Sequence, residues 1–118
     1  MKKGAMHADS REEIEIPLEK KQFANAEKLF LELGYKIEIK WFRKRNTFSW
    51  KNLKVMLDET KGYGFIIELE KLCSVEKKDA TVKMLKTKMQ ELNIKETTKQ
   101  EFNKKFEYYK NNWKKLTA

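Results

Sequence analysis

The sequence predicts an α+β fold, an antiparallel sheet flanked by helices in the order β-α-β-β-β-α-α. Three observations predict it: apolar and charged residues alternate in four stretches, apolar residues recur every three or four positions in three others, and glycines stand at several joints. A chain of 118 residues has room for one domain with a core and not for two. Within that single domain, residues 1–72 are rich in strands and residues 75–116 are helical.

The first strand is Arg11-Glu12-Glu13-Ile14-Glu15-Ile16, with Ile14 and Ile16 on one face and Arg11, Glu13 and Glu15 on the other. Pro17 ends it. A helix follows over 19–33, with Phe23, Ala26, Phe30 and Leu33 on one stripe and Gly34 at the position that favours a helix C-terminal glycine. Residues 35–50 read as one long strand that alternates through Ile37, Ile39 and Trp41 and then turns basic at Arg43, Lys44 and Arg45. The next strand, 52–59, sets Leu53, Val55 and Leu57 against Lys54, Met56 and Asp58. Gly62 and Gly64 supply the backbone freedom of a tight connection. The strand over 65–72 then sets Phe65, Ile67 and Leu69 against Ile66, Glu68 and Glu70. Two helices finish the pattern. The first, 77–92, carries Val82, Leu85, Met89 and Leu92. The second opens on a capping box between Thr97 and Gln100 and carries Phe102, Phe106, Tyr109 and Trp113.

Charge and composition narrow the function. Charged residues make up 38% of the chain and hydrophobic residues 40%, the balance of a folded protein rather than a disordered one. No apolar run approaches the ~20 residues needed to cross a bilayer, and no apolar stretch follows the N-terminal lysines as a signal peptide requires. A single cysteine, Cys73, excludes an internal disulfide and fits a cytoplasmic protein. Of the net charge of +9, residues 74–118 supply +6 from 12 lysines and 6 acids. Those lysines read first as the solvated face of helices and second as a nucleic-acid surface. Acids and bases are nearly balanced in the strand region.

That balance carries the chemical reading. A half-exposed sheet with its charges in water shows the same alternation. The acids here, however, cluster at strand ends beside a glycine turn, among arginines and lysines. Phosphate oxygens need such donors, and arginine adds two-point geometry. A divalent ion on a phosphate chain needs one or two carboxylates plus water and substrate oxygens. Arg43, Arg45 and Lys54 therefore suit phosphates, and Glu68 and Glu70, two apart on a strand and facing the same way, suit Mg²⁺ or Mn²⁺. His7 is the only histidine, so a histidine acid–base pair or a zinc site is not expected. Neither a Gly-Lys-Ser/Thr phosphate loop nor a Gly-x-Gly-x-x-Gly turn is present.

At these residues the chain resembles the CYTH family, the triphosphate tunnel enzymes that include class IV adenylate cyclases and thiamine triphosphatases. The cyclase branch is the most similar. The resemblance runs through Arg11-Glu12-Glu13-Ile14-Glu15, Leu33-Gly34-Tyr35, Arg43-Lys44-Arg45-Asn46-Thr47-Phe48, and above all the segment over 57–70, Leu-Asp-Glu-Thr-Lys-Gly-Tyr-Gly-Phe-Ile-Ile-Glu-Leu-Glu. It implies a sheet forming part of a β-tunnel, a CYTH-like half barrel. It also implies phosphate contacts at Arg43, Arg45, Lys54, Arg11 and Lys3, catalytic roles for Asp58 and Arg45, and metal ligation by Glu70 and Glu68. Asp58 would orient basic neighbours or water. The implied activity is that of a metal-dependent adenylate cyclase or triphosphatase acting on a nucleoside triphosphate or another triphosphate. The family's opening Glu-x-Glu-x-Lys strand has no counterpart before Lys3; Glu13-Ile14-Glu15-Ile16-Pro17 mimics it with proline in place of lysine. The chain thus reads as the C-terminal part of a tunnel domain, weakly active or inactive alone, with a homodimer or an N-terminal piece expected to complete the barrel. A non-catalytic polyanion-binding module and a basic nucleic-acid-binding protein are the alternative readings.

Overall fold

The computed structural model describes residues 2–3, as backbone, and residues 11–118. The chain forms two compact units, 1–40 and 41–118, and the division falls inside the stretch whose alternation predicts one long strand.

In the N-terminal unit, β1 (Lys2–Lys3) pairs antiparallel with β2 (Glu12–Glu13). The strand expected over 11–16 is therefore two residues long, and Ile14 and Ile16 stay exposed. Alternation supplies a face but not a layer to bury it against, and no residue of 11–40 is buried. The helix expected over 19–33 is α1 (Phe23–Glu32), preceded by a 3₁₀ turn at Lys20–Gln22. The Glu19 N–H donates to the Gln22 side-chain oxygen at 2.9 Å, fixing the entry. Gly34, at φ +91°, ends the helix: its N–H donates to the Leu31 carbonyl and the Tyr35 N–H to the Phe30 carbonyl. This is a Schellman motif, completed by an edge contact between the Phe30 and Tyr35 rings at 5.9 Å. Lys40 reaches back to Glu27 at 2.9 Å.

In the second unit, β3 (Arg43–Trp50), β4 (Leu53–Thr60) and β5 (Gly64–Glu70) form an antiparallel sheet in that order. Residues 35–42, expected as strand, are outside it. Among the described residues the sheet is open, with β3 and β5 at its edges. Lys51 and Asn52 both take positive φ, 48° and 61°, which makes the β3–β4 connection a two-residue type I′ turn. The β4–β5 connection needs Gly62 twice over. Its φ is +77°, and a side-chain carbon there would sit 2.7 Å from the Leu116 Cβ.

Two helices complete this unit. α2 (Lys78–Glu91) follows a 3₁₀ turn at Val75–Lys77 and contacts β5. It ends in a second Schellman motif, with Asn93 at φ 55° in the role that Gly34 plays in α1. α3 (Lys99–Leu116) is capped one residue later than expected, by Thr98 and Glu101 rather than Thr97 and Gln100. Thr98 Oγ1 accepts from the Glu101 N–H at 3.1 Å, and Glu101 accepts from the Thr98 N–H at 3.0 Å. The one-residue shift puts a carboxylate, a stronger acceptor than an amide oxygen, at the N3 position.

The aromatic stripe of α3 is core. Trp41 stacks on Tyr109 at 4.6 Å and near-parallel to Phe106 at 6.2 Å, while Tyr63 meets Trp41 and Tyr109 edge-on at 5.1 and 5.6 Å. Tyr109 is 1% exposed, and burial pushes its hydroxyl pKa and that of Tyr63 up. Each such pair adds about 0.5–1.5 kcal/mol beyond the area it buries. Among the described residues the other buried apolar side chains, Leu53, Val55 and Met56, all lie on β4, as expected of the central strand.

Candidate phosphate-binding face

Register decides which side chains share a surface, because residues directly opposite on antiparallel strands point the same way. Arg45 pairs with Asp58 and Asp58 with Ile66; Arg43 pairs with Thr60 and Thr60 with Gly64; Met56 pairs with Glu68 and Lys54 with Glu70. The ladder has no interruption. One face of the sheet therefore carries Arg43, Arg45, Lys54, Asp58, Glu68 and Glu70 together, six of the eight residues proposed for the site. The other face carries Phe48, Trp50, Leu53, Val55, Leu57, Phe65, Ile67 and Leu69.

Asp58 is the centre of the charged face. Its side chain is fully buried, and Arg45 grips it from two points: Nε donates to Oδ1 at 2.8 Å and Nη2 to Oδ2 at 2.7 Å. Arg43 Nη1 donates to Oδ2 at 3.1 Å. These bonds, Arg45 first, hold the Asp58 carboxyl below its usual range against the opposing effect of burial. In return, Asp58 and then Glu68 and Glu70 raise Arg45. Arg45 Nη2 also lies 3.7 Å from Glu68. The sheet edge supplies the arginines, the central strand supplies the acid, and a carboxylate that alternation places in solvent is buried beneath two guanidinium groups.

This geometry separates the roles expected of these residues. Both Asp58 oxygens accept arginine N–H groups, so Asp58 orients its basic neighbours and is a poor proton acceptor near neutral pH. Arg43 Nε and Nη2 and Arg45 Nη1 are not engaged by Asp58. Lys54 and Glu70 stand opposite one another across the β4–β5 pair. Arg11, just before β2, and Lys3, in β1, belong to the N-terminal unit and not to this sheet. Lys3 is described only as backbone.

Two residues of this region carried no signal in the sequence. Thr60 is 2% exposed, and its Oγ1 is buried without a hydrogen-bond partner. Lys105, from the lysine-rich α3, places its ammonium 4.4 Å from the centre of the Tyr63 ring. The same ammonium lies 3.5 Å from where a Gly64 Cβ would be. It thus brings a further cation to the end of the row Arg43–Thr60–Gly64, a placement that helix periodicity does not reveal.

Among the described residues no group of three or more histidine, cysteine, aspartate or glutamate side chains is placed to hold a metal ion. Glu68 and Glu70, on one face and two residues apart, fit a hydrated Mg²⁺ or Mn²⁺ shared with a phosphate chain, which takes one or two carboxylates, and not an all-protein cage. Among the described residues no helix is long and apolar enough to cross a membrane. No family model matches the chain, and neither a curated protein nor a solved structure matches it.

Proposed function

We propose that the charged face of the sheet binds a triphosphate together with a divalent metal, as in the CYTH-like reading of the sequence. The observation that carries this is the Arg43–Asp58–Arg45 cluster. A buried carboxylate fixes two guanidinium groups side by side on a strand edge, and does not engage all of their donors. Fixed arginine pairs match phosphate oxygens in two-point geometry and lose little side-chain freedom on binding. Lys54 extends the donor row, while Glu68 and Glu70 supply carboxylates beside it. Arg43, Arg45 and Lys54 balance Asp58, Glu68 and Glu70 in formal charge, so a highly charged triphosphate binds best with a cation that offsets its charge.

A metal, when bound, would polarise the phosphate and neutralise the charge that builds on it. The chain's own residues do the rest: Asp58 orients the arginines, Arg43 and Arg45 hold phosphate oxygens, and Glu68 and Glu70 face the ion. Adenylate cyclase and triphosphatase chemistry remain equivalent proposals at this site. One observation favours a second reading, a binding module without turnover: both Asp58 oxygens accept from arginine, which lowers the basicity of the carboxylate and makes it a weak general base.

Calorimetric titration with tripolyphosphate and with ATP, each with and without Mn²⁺, tests the proposal, and product assays in the same samples separate the two readings. Binding that requires Mn²⁺ and weakens at least tenfold in Lys54→Ala and Arg43→Gln is expected. Undiminished binding in both variants contradicts it. Product formation supports the enzyme, and metal-dependent binding without product supports the module.

A further inference from the structure

We propose that the chain forms a two-fold dimer by antiparallel pairing of β5 with β5 of a second copy, centred on Ile67. Among the described residues β5 has one sheet neighbour, β4, so on its outer side no described strand pairs with its backbone donors and acceptors. The most exposed large apolar side chains of the second unit lie on β5 and just beyond it: Phe65 is 83% exposed, Leu72 87% and Val75 85%. Natural edges that stay single are blunted by charge, and β3 is such an edge, with Arg43, Lys44 and Arg45 in consecutive positions. β5 reads Gly-Phe-Ile-Ile-Glu-Leu-Glu, with no lysine, arginine or proline.

The charge pattern of β5 is also complementary to itself. Pairing about Ile67 sets Glu68 opposite Ile66 of the second copy, Glu70 opposite Gly64, and Phe65 opposite Leu69. No acid stands directly opposite another, and each Glu68 keeps its own Arg45 nearby. All seven residues of the strand are used. The Phe65–Leu69 pairs fall on the apolar face, where aromatic–aliphatic cross-strand pairs each contribute about 0.2–1 kcal/mol. The operation is closed, so it makes a dimer of two three-stranded sheets and not a polymer. Both charged faces then lie on the same side of one six-stranded sheet. This proposal does not depend on triphosphate binding.

Sedimentation of the whole chain tests the assembly, and engineered cysteines in a Cys73→Ser background test the register. Residues directly opposite in such a pair have Cα atoms about 4.5–5.5 Å apart, within the span of a disulfide. A mixture of Phe65→Cys and Leu69→Cys chains is expected to cross-link under mild oxidation, while each variant alone does not. Phe65→Lys, a change at an exposed position that leaves the fold intact, is expected to weaken the dimer at least tenfold. A monomer at high micromolar concentration, open-ended polymers, or no mixed cross-link between the two cysteine variants overturns the proposal.

Discussion

Replacing Asp58 by asparagine isolates the cluster on which the functional reading rests. The substitution keeps the shape of the side chain and one carbonyl oxygen, but turns the other acceptor into an NH₂ group facing guanidinium donors. Asp58 takes part in three hydrogen bonds from arginine, and its side chain is fully buried. Removing one partner of a fully buried ion pair costs about 3–5 kcal/mol, but here the arginines are partly exposed and turn to water, so about 2–3 kcal/mol is the expected loss. For a unit of this size that lowers the melting temperature by about 8–20 °C at neutral pH.

The effect also has a pH signature with a definite sign. Because the folded-state pKa of Asp58 is depressed, its stabilisation is present above the ordinary aspartate value of ~3.9 and is lost as pH falls through the lower folded value. The gap between the native protein and Asp58→Asn should therefore be constant from neutral pH down to about 5, then close in stronger acid. Thermal unfolding followed by circular dichroism measures both. An unchanged melting temperature at neutral pH, or a gap that persists undiminished in strong acid, refutes the reasoning.

Other consequences follow from single residues. Gly62→Ala adds a carbon against Leu116 at a positive φ, and a loss of about 1–3 kcal/mol in urea unfolding is expected. Thr60→Val removes a buried hydroxyl without a partner, so a gain of about 1 kcal/mol is expected, and a loss would mean that the hydroxyl has a partner in solution. Thr98→Ala deletes the α3 cap at a cost of about 1 kcal/mol, whereas Thr97→Ala changes the unfolding midpoint little, which distinguishes the observed cap from the one the sequence suggests.

The helices and the three-stranded sheet were legible because each carries its own period and its own stop signals. Gly34 closes α1, and the paired alternation of β4 and β5 meets at Gly62. Where the sequence misled, the cause was tertiary. Among the described residues, 11–16 pairs only through Glu12–Glu13 with β1, and 35–42 makes a single ladder-like bond, from the Lys61 N–H to the Phe42 carbonyl, so alternation there does not become a full strand. The inside–outside reading of β4 failed at three positions: Met56 and Asp58 are buried on the charged face and Leu57 is exposed on the apolar one. Asp58 is buried because arginines from the edge strand fold over it. Six of the eight candidate residues were legible strand by strand, since a shared face within one strand follows from counting by two, whereas Arg11 and Lys3 lie outside this sheet. The grip of the two arginines on Asp58 was not, because it depends on the register between β3 and β4, and neither was the arrival of Lys105 from α3.

The central claim is that the sheet face, not the lysine-rich helices, is where a triphosphate binds. Titration of tripolyphosphate in Mn²⁺ against the native chain, Arg43→Gln, and a Lys104→Ala/Lys114→Ala/Lys115→Ala variant of α3 tests it directly. Binding weakened at least tenfold in Arg43→Gln and nearly unchanged in the helix variant is the predicted result. Binding that ignores Arg43 but collapses with the helix lysines, and falls steeply with salt as counterion release requires, would contradict it.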